Sequence, residues 1–405
     1  MSRKILIICQ VYVPDPASVG QHLNDVAVEA NRRGHQVKVI TSARGYDDPR
    51  RIYPRREIIQ GVEVHRIWVP SLGKATLVRR LIGQILFLIQ AFFVGLFTRH
   101  LSGVIVSTAP PMGSAIGVAI AFLRRVRLVY WVMDINPDQA IAIGLVSQTS
   151  PLVWLLERLD RIAVRRADVV ITLDRFMANT VMRKGCSSSK LRILPPWPHD
   201  DHLEDIRHDE NPFRSEHGLN GKFVVMYSGN HAVTSPLSTI LDASHRLRDR
   251  SDILFLFIGG GVRKHEVDAV ISRGASNVKS LPYQALNMLK YSLSAADVHL
   301  ITLDERAVGV VHPCKVYGAL SIGRPILFIG PSVCHVSEIL ASHYVGKMVR
   351  EGDVDGAVNA IISLADMSVD ERDKMGRTAK DIIRQNFSKE VLCGAFMDIV
   401  EHCLA

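Results

Sequence analysis

Two adjacent cations close a run of glycines in Phe257-Ile-Gly259-Gly260-Gly261-Val-Arg263-Lys264, where a β-rich stretch gives way to a helical pattern. Glycine turns at strand ends let a ligand come close to the backbone. Fixed positive charges beside them stabilise an anion that gains charge as a bond breaks. Cations at a helix N-terminus oppose the helix dipole, and a bound anion would remove that conflict. The chemistry such a set suits is the departure of a diphosphate. A second glycine turn, Tyr227-Ser-Gly229-Asn230, and Lys315 in Pro313-Cys-Lys315-Val-Tyr-Gly318 are candidates for the same anion. Gly20 lies between the first β-rich run and the first helical pattern, where free N–H groups favour phosphate. The candidate for a catalytic carboxylate is Asp134, in Trp131-Val-Met-Asp134-Ile-Asn-Pro137-Asp138 at the end of another β-rich run. The alternative is that Asp134 or Asp138 caps the helix that follows.

Other patterns narrow the chemistry. Asp353-Val-Asp355 precedes a helical pattern and reads as a cap rather than a metal site. His265-Glu266 lacks the second histidine of a zinc helix, and neither a Walker loop nor a GxSxG elbow is present. No metal and no cofactor are expected.

These residues need elements to hold them at strand ends. Apolar or alternating runs at Ile5–Val11, Val37–Thr41, Val62–Val69, Val104–Ser107, Leu128–Met133 and Val169–Leu173 alternate with helical patterns. The same logic repeats at Phe223–Ser228, Ile253–Gly259, Val298–Leu303 and Pro325–Ile329. Such alternation predicts an α/β chain with two tandem Rossmann-like, doubly wound domains. Pro195, Pro196 and Pro198 cannot continue a helix or a central strand, so the boundary is set there. The expected domains are 1–196 and 197–388, with a helix at 389–405 beyond the second sheet and free to pack back on the first. The two sheets are expected to face each other across a ligand cleft at the carboxyl ends of their strands.

The 405 residues are 47% hydrophobic and 22% charged, with no low-complexity segment, which sets aside disorder and solenoids. The net charge of +9 is uneven: residues 1–195 hold 27 Lys+Arg against 13 Asp+Glu, and the remainder is acidic. A basic half suits a phosphorylated ligand or an anionic lipid surface, and no nucleic-acid partner is assigned. Six scattered cysteines without a CxxC pair suggest reduced thiols and a cytoplasmic location. Residues 81–97 carry no charge and are flanked by Arg79, Arg80, Arg99 and His100. As a helix they would span roughly 25 Å, short of a hydrocarbon core. Their place between two strands makes them a crossover helix, either fully buried or dipping into one leaflet at the inner membrane.

In order and spacing, the motifs resemble those of retaining glycosyltransferases of family 4, of the two-Rossmann GT-B architecture. They are most similar to the subgroup that builds colanic acid and other bacterial exopolysaccharides. The resemblance is carried by Tyr12-x-Pro14, Arg33-Gly34-His35, Gly61-Val-Glu-Val-His-Arg66, Asp134-x-x-Pro137-Asp138, Arg166-Ala-Asp168, Tyr227-x-Gly229-Asn230, Leu281-Pro282-Tyr283, Pro313-x-Lys315 and Gly323-x-Pro325. It implies a UDP- or GDP-linked sugar donor held mainly by the second domain, with the base near Pro282 and Tyr283. It implies a saccharide acceptor, often polyprenyl-linked, at the first domain, and metal-independent transfer with retained configuration. The sequence departs from the family at Val310 and Gly318, where paired glutamates are usual, and at His231–Pro236, where an Arg/Lys pair is usual. A catalytically inactive sugar-nucleotide binder and a nucleotide-sugar epimerase are the competing readings.

Overall fold

The computed structural model describes residues 4–15, 17–45, 50–68, 77–198 and 206–405, without the side chains of 77–81 and 286. Val69, residues 199–205 of the expected linker, and the side chains of Arg79 and Arg80 lie outside that description. Contacts group the chain into two units, Met1–Pro196 with Glu390–Ala405, and Trp197–Lys389.

The first unit holds β1 (Lys4–Ile8), β2 (Gln36–Ser42), β3 (Arg56–Ile59), β4 (Val62–Ile67), β5 (Leu101–Ser107), β6 (Arg127–Val132), β7 (Val169–Thr172) and β8 (Leu191–Ile193). Their order is β3-β4-β2-β1-β5-β6-β7-β8, and they pair in parallel except for β3 against β4. Ile5, Leu6, Ile7 and Ile8 are buried because β1 is central, with both faces covered. The edge hairpin β3–β4 turns at Gln60 and Gly61, both at positive φ, as a tight two-residue hairpin turn requires.

Among the described residues these strands are joined by α1 (Ser18–Arg32), α2 (Leu77–Leu96), α3 (Gly113–Arg124), α4 (Asp138–Ala142), α5 (Pro151–Arg166) and α6 (Arg175–Arg183). The apolar helix α2 is the crossover from β4 to β5. It is not fully buried, which corrects one of the two expectations for it. Phe87, Leu88 and Ala91 are buried, whereas Ile82, Ile85, Ile89 and Phe93 are exposed. No helix among the described residues is long and apolar enough to cross a membrane.

The second unit contains α7 (Pro212–Glu216), α8 (Ser238–Arg246), α9 (Lys264–Ser272), α10 (Leu289–Ser294), α11 (Lys315–Ile322), α12 (His335–Ser342), α13 (Val354–Ala365) and α14 (Val369–Ile382). Its strands are β9 (Phe223–Ser228), β10 (Ile253–Ile258), β11 (Val278–Leu281), β12 (Val298–Thr302), β13 (Ile326–Ile329) and β14 (Gly346–Val349). They form an all-parallel sheet in the order β11-β10-β9-β12-β13-β14. The strand order reverses direction between β9 and β12, and the crevice at such a switch point is where open α/β sheets bind ligands. Phe255, Phe257, Leu300 and Leu327 form part of the core on one side of this sheet.

The last helix, α15 (Lys389–Leu404), completes the first unit. Phe396 packs on Trp131 with ring centroids 4.5 Å apart. Arg33 reaches Asp398 at 2.6 Å and Glu401 at 3.0 Å, and His35 meets Glu401 at 2.8 Å. A side chain at Gly103 would collide with Leu404.

Candidate functional site

In the second unit the glycine turns after β9 and β10 pack backbone against backbone. Gly259 has φ +125°, and a Cβ there would lie 2.1 Å from the Gly229 carbonyl oxygen. Gly261 has φ +133°, and its Cβ would meet the Asn230 side-chain oxygen at 2.4 Å. Only glycine combines such φ values with such contacts. His231 fastens the two turns: its N–H donates to the Gly260 carbonyl at 2.7 Å, and its own carbonyl accepts from the Arg263 N–H at 3.0 Å. The His231 ring is wholly buried beside Tyr227, and burial pushes its pKa down, which keeps it neutral.

Lys315, the first residue of α11, brings its ammonium to the same place. Its Nζ donates to the Asn230 carbonyl at 3.0 Å and sits 4.9 Å over the Tyr227 ring. The Tyr227 hydroxyl donates to the same carbonyl at 2.7 Å. Gly229, Asn230, Gly261 and Lys315 are therefore gathered at one strand-end cluster, next to the switch point.

Arg263 and Lys264 flank this cluster but are engaged differently from the expectation. Lys264 Nζ donates to the carbonyls of Gly259 at 2.7 Å and Leu281 at 3.0 Å, the ends of β10 and β11. Arg263 Nε pairs with Glu266 at 2.8 Å, and its Nη1 donates to the Val233 carbonyl at 3.2 Å. The conflict between these cations and the dipole of α9 is thus relieved by the protein's own oxygens, so it does not by itself require a bound anion. Tyr283 is 60% exposed, with its hydroxyl 3.3 Å from the Gly260 carbonyl and its ring edge against Gly259 and Gly260. Pro282, beside it, is also exposed. Val310 is buried, while a Cβ on Gly318 would meet nothing within 4 Å.

In the first unit Gly20 lies inside α1, not in an open turn. A Cβ there would stand 3.0 Å from the Val11 carbonyl oxygen and the Tyr12 Cα. Its missing side chain lets the helix approach the chain after β1, so backbone packing, rather than ligand approach, uses the space.

Asp134 follows β6, and its N–H donates to the Thr108 hydroxyl at 3.2 Å. Burial pushes its carboxyl up to about 6. Neither Asp134 nor Asp138 caps α4 through its side chain, which corrects the capping alternative. Asp138 instead accepts from Lys184 at 2.5 Å, and the same buried ammonium lies 2.9 Å from Asp160. The Tyr130 hydroxyl donates to Asp160 at 3.1 Å. Burial opposes the Lys184 charge, but the two aspartates outweigh it and raise its pKa. This network, which the sequence did not announce, fastens the segment after Asp134 to α5 and α6. Arg66 does similar work on the neighbouring loop: it is buried, pairs with Glu57, and donates to the carbonyls of Val13 at 2.8 Å and Pro54 at 3.2 Å.

Asp353 caps α13 by accepting from the Gly356 N–H at 2.8 Å. Among the described residues no group of three or more His, Cys, Asp or Glu could hold a metal ion.

Residues 18–197 match the family described as Glycosyl transferase 4-like domain. The putative colanic acid biosynthesis glycosyl transferase WcaI of Escherichia coli is 25% identical over 79% of this chain and 81% of its own. The probable glycosyltransferase WbjE of Pseudomonas aeruginosa is 24% identical over 83% and 84%. Among solved structures, Anabaena Alr3699/HepE in complex with UDP and glucose covers 99% of this chain and 100% of its own, with TM-score 0.73 and 16% identity.

Proposed function

We propose that this chain is a family 4 glycosyltransferase of GT-B fold, as its Glycosyl transferase 4-like domain, its relatives and its fold support, and that it moves a sugar from a UDP- or GDP-linked donor to a saccharide acceptor with retained configuration. The observation that carries the donor half is the convergence of Lys315 on Asn230 beside the interlocked turns at Gly229 and Gly261. An ammonium and close-approach backbone at a switch point suit a diphosphate. Tyr283, with its large exposed surface, offers a stacking place for the base. The cited UDP complex of a structural relative supports a nucleotide-sugar donor.

The acceptor belongs to the first unit in this reading. The glycosidic bond to the donor phosphate breaks, the acceptor oxygen bonds the anomeric carbon on the same face, and the acceptor proton passes to the departing phosphate. Asp134, a carboxyl with a raised pKa, is the polar group that orients the reacting sugar. A polyprenyl-linked saccharide, used at the cytoplasmic face of the inner membrane in surface-glycan synthesis, fits the exposed apolar side of α2. No metal is assigned a role.

The test is a thermal-shift screen across UDP- and GDP-sugars, followed by turnover with a polyprenyl-linked acceptor. Stabilisation by one donor class and transfer with retention are expected. Val310 and Gly318, in place of paired glutamates, favour one second reading, a sugar-nucleotide binder without turnover. Binding with no transfer to any acceptor would select it.

A further inference from the structure

The exposed apolar side of α2 is one part of a wider surface. Helices α2 and α3 pack side by side, as do α3 and α5. On α2, Ile82, Ile85, Ile89 and Phe93 are exposed at helical spacing, and Phe97 continues the line at 77% exposure. That line runs about 22 Å. On α3, Phe122 and Leu123 are exposed, and the helix has no charged residue from Gly113 to Leu123. On α5, Trp154, Leu155 and Ile162 are exposed. A groove of about 410 Å³ runs between α3 and α5, walled by Ala115, Val118, Ala119, Phe122 and Ile162, with Arg166 at its edge.

The charges on this surface are one-sided. Exposed Arg125 ends α3, and exposed Arg158, Arg161, Arg165 and Arg166 lie on α5. Arg161 is balanced by Glu157 at 2.7 Å, and Arg158 covers the Trp154 ring at 5.7 Å. Asp168, at the groove edge, already pairs with Arg127 at 2.8 Å. Exposed apolar groups alternating with arginines, with almost no free acid, complement a layer of acyl chains under anionic headgroups. A second copy of the chain would bring the same arginines and supply no countercharge.

We propose that α2, α3 and α5 together form the face that docks on an anionic bilayer, with α5 reading headgroup charge. This rests on the reading that α2 touches lipid and extends it to two further helices. The test uses the full chain with large vesicles of phosphatidylcholine alone or mixed with phosphatidylglycerol. Cosedimentation should be much stronger on the mixed vesicles and fall with salt. Arg125→Glu and Arg166→Glu should each weaken it at least about fivefold. Brominated acyl chains should quench tryptophan emission in the wild type, and Trp154→Phe should remove most of that quenching. The quenching reads α5 without a charge being placed in the fold. If Phe93→Glu releases the protein while Trp154 is never quenched and the arginine variants bind normally, α2 alone meets lipid and the three-helix face is overturned. If the wild type binds neither vesicle, both readings fall. If the chain is a lipid-independent dimer that Leu155→Glu converts to monomer, the face is a self-association surface and the proposal is wrong.

Discussion

Lys315 Nζ rests 3.0 Å from the carbonyl oxygen of Asn230, a residue 85 positions earlier in the chain. A cation from the start of α11 is thereby stationed at the end of β9. An ammonium has three N–H donors, and this bond uses one of them. Lys315→Ala should lower turnover about 100-fold or more, as loss of a group that stabilises developing charge does, with little change in melting temperature. Lys315→Arg should retain part of the rate. Single-turnover kinetics with a nucleotide sugar checks this, and an unaltered rate would remove Lys315 from the chemistry.

Arg263 and Lys264 should part company despite being adjacent. Lys264 joins two strand ends through their carbonyls, so Lys264→Ala should cost about 1 kcal/mol of stability for each hydrogen bond lost. Arg263 can exchange Glu266 for a phosphate, so Arg263→Ala should act mainly on turnover. Denaturant unfolding and steady-state kinetics on both variants separate the two effects.

The Asp134 carboxyl titrates near 6 in the folded protein, against about 3.9 in an unfolded chain. If its ionised form is needed, the rate falls as pH drops through about 6, and Asp134→Asn abolishes that limb while lowering the rate more than the donor affinity. The stability effect has the opposite sense. The folded protein holds this proton more tightly than the unfolded chain, so the group contributes stability at low pH that is lost as pH rises through about 6. Asp134→Asn should therefore be more stable than the wild type at pH 7.5, and the difference should vanish below about pH 4. Urea melts at several pH values provide the check.

Two glycines in the second unit should respond oppositely to alanine. Gly261→Ala places a methyl 2.4 Å from the Asn230 side chain at φ +133°, and should cost about 1–3 kcal/mol together with the nucleotide-sugar thermal shift. Gly318→Ala meets nothing within 4 Å on a helix, and should gain up to about 1 kcal/mol. Equal responses would mean that the interlocked turns are not what positions the donor site.

Much of the frame was legible because buried parallel strands are written as short apolar runs. Ile5–Ile8, Phe223–Tyr227 and Ile253–Ile258 stand out for that reason. The edge strands β3, β8, β11 and β14 were missed, since each is short, largely half exposed and has no such run. Glycines at strand ends were legible, but what each one meets was not. Gly20 and Gly229 look alike in sequence, yet one is closed by Val11 and Tyr12 and the other by the flexible end of Lys315. Lys264 illustrates the same limit: its charge is plain in the sequence, while the two carbonyls that capture it come from different strands. The Lys184–Asp138–Asp160 network joins positions 46 and 24 residues from the lysine, a separation at which no local pattern survives.

The docking of α15 on Trp131 carries a consequence for biosynthesis. Everything in the first unit except this helix is synthesised before the second unit begins. At about 5–20 residues per second, the intervening stretch keeps a ribosome busy for roughly 10–40 s. Throughout that interval the Trp131 surface lacks its cover, so the nascent chain presents a temporary adhesive patch to chaperones or to neighbouring chains. The amino-terminal unit, first to be made, is the last to be finished.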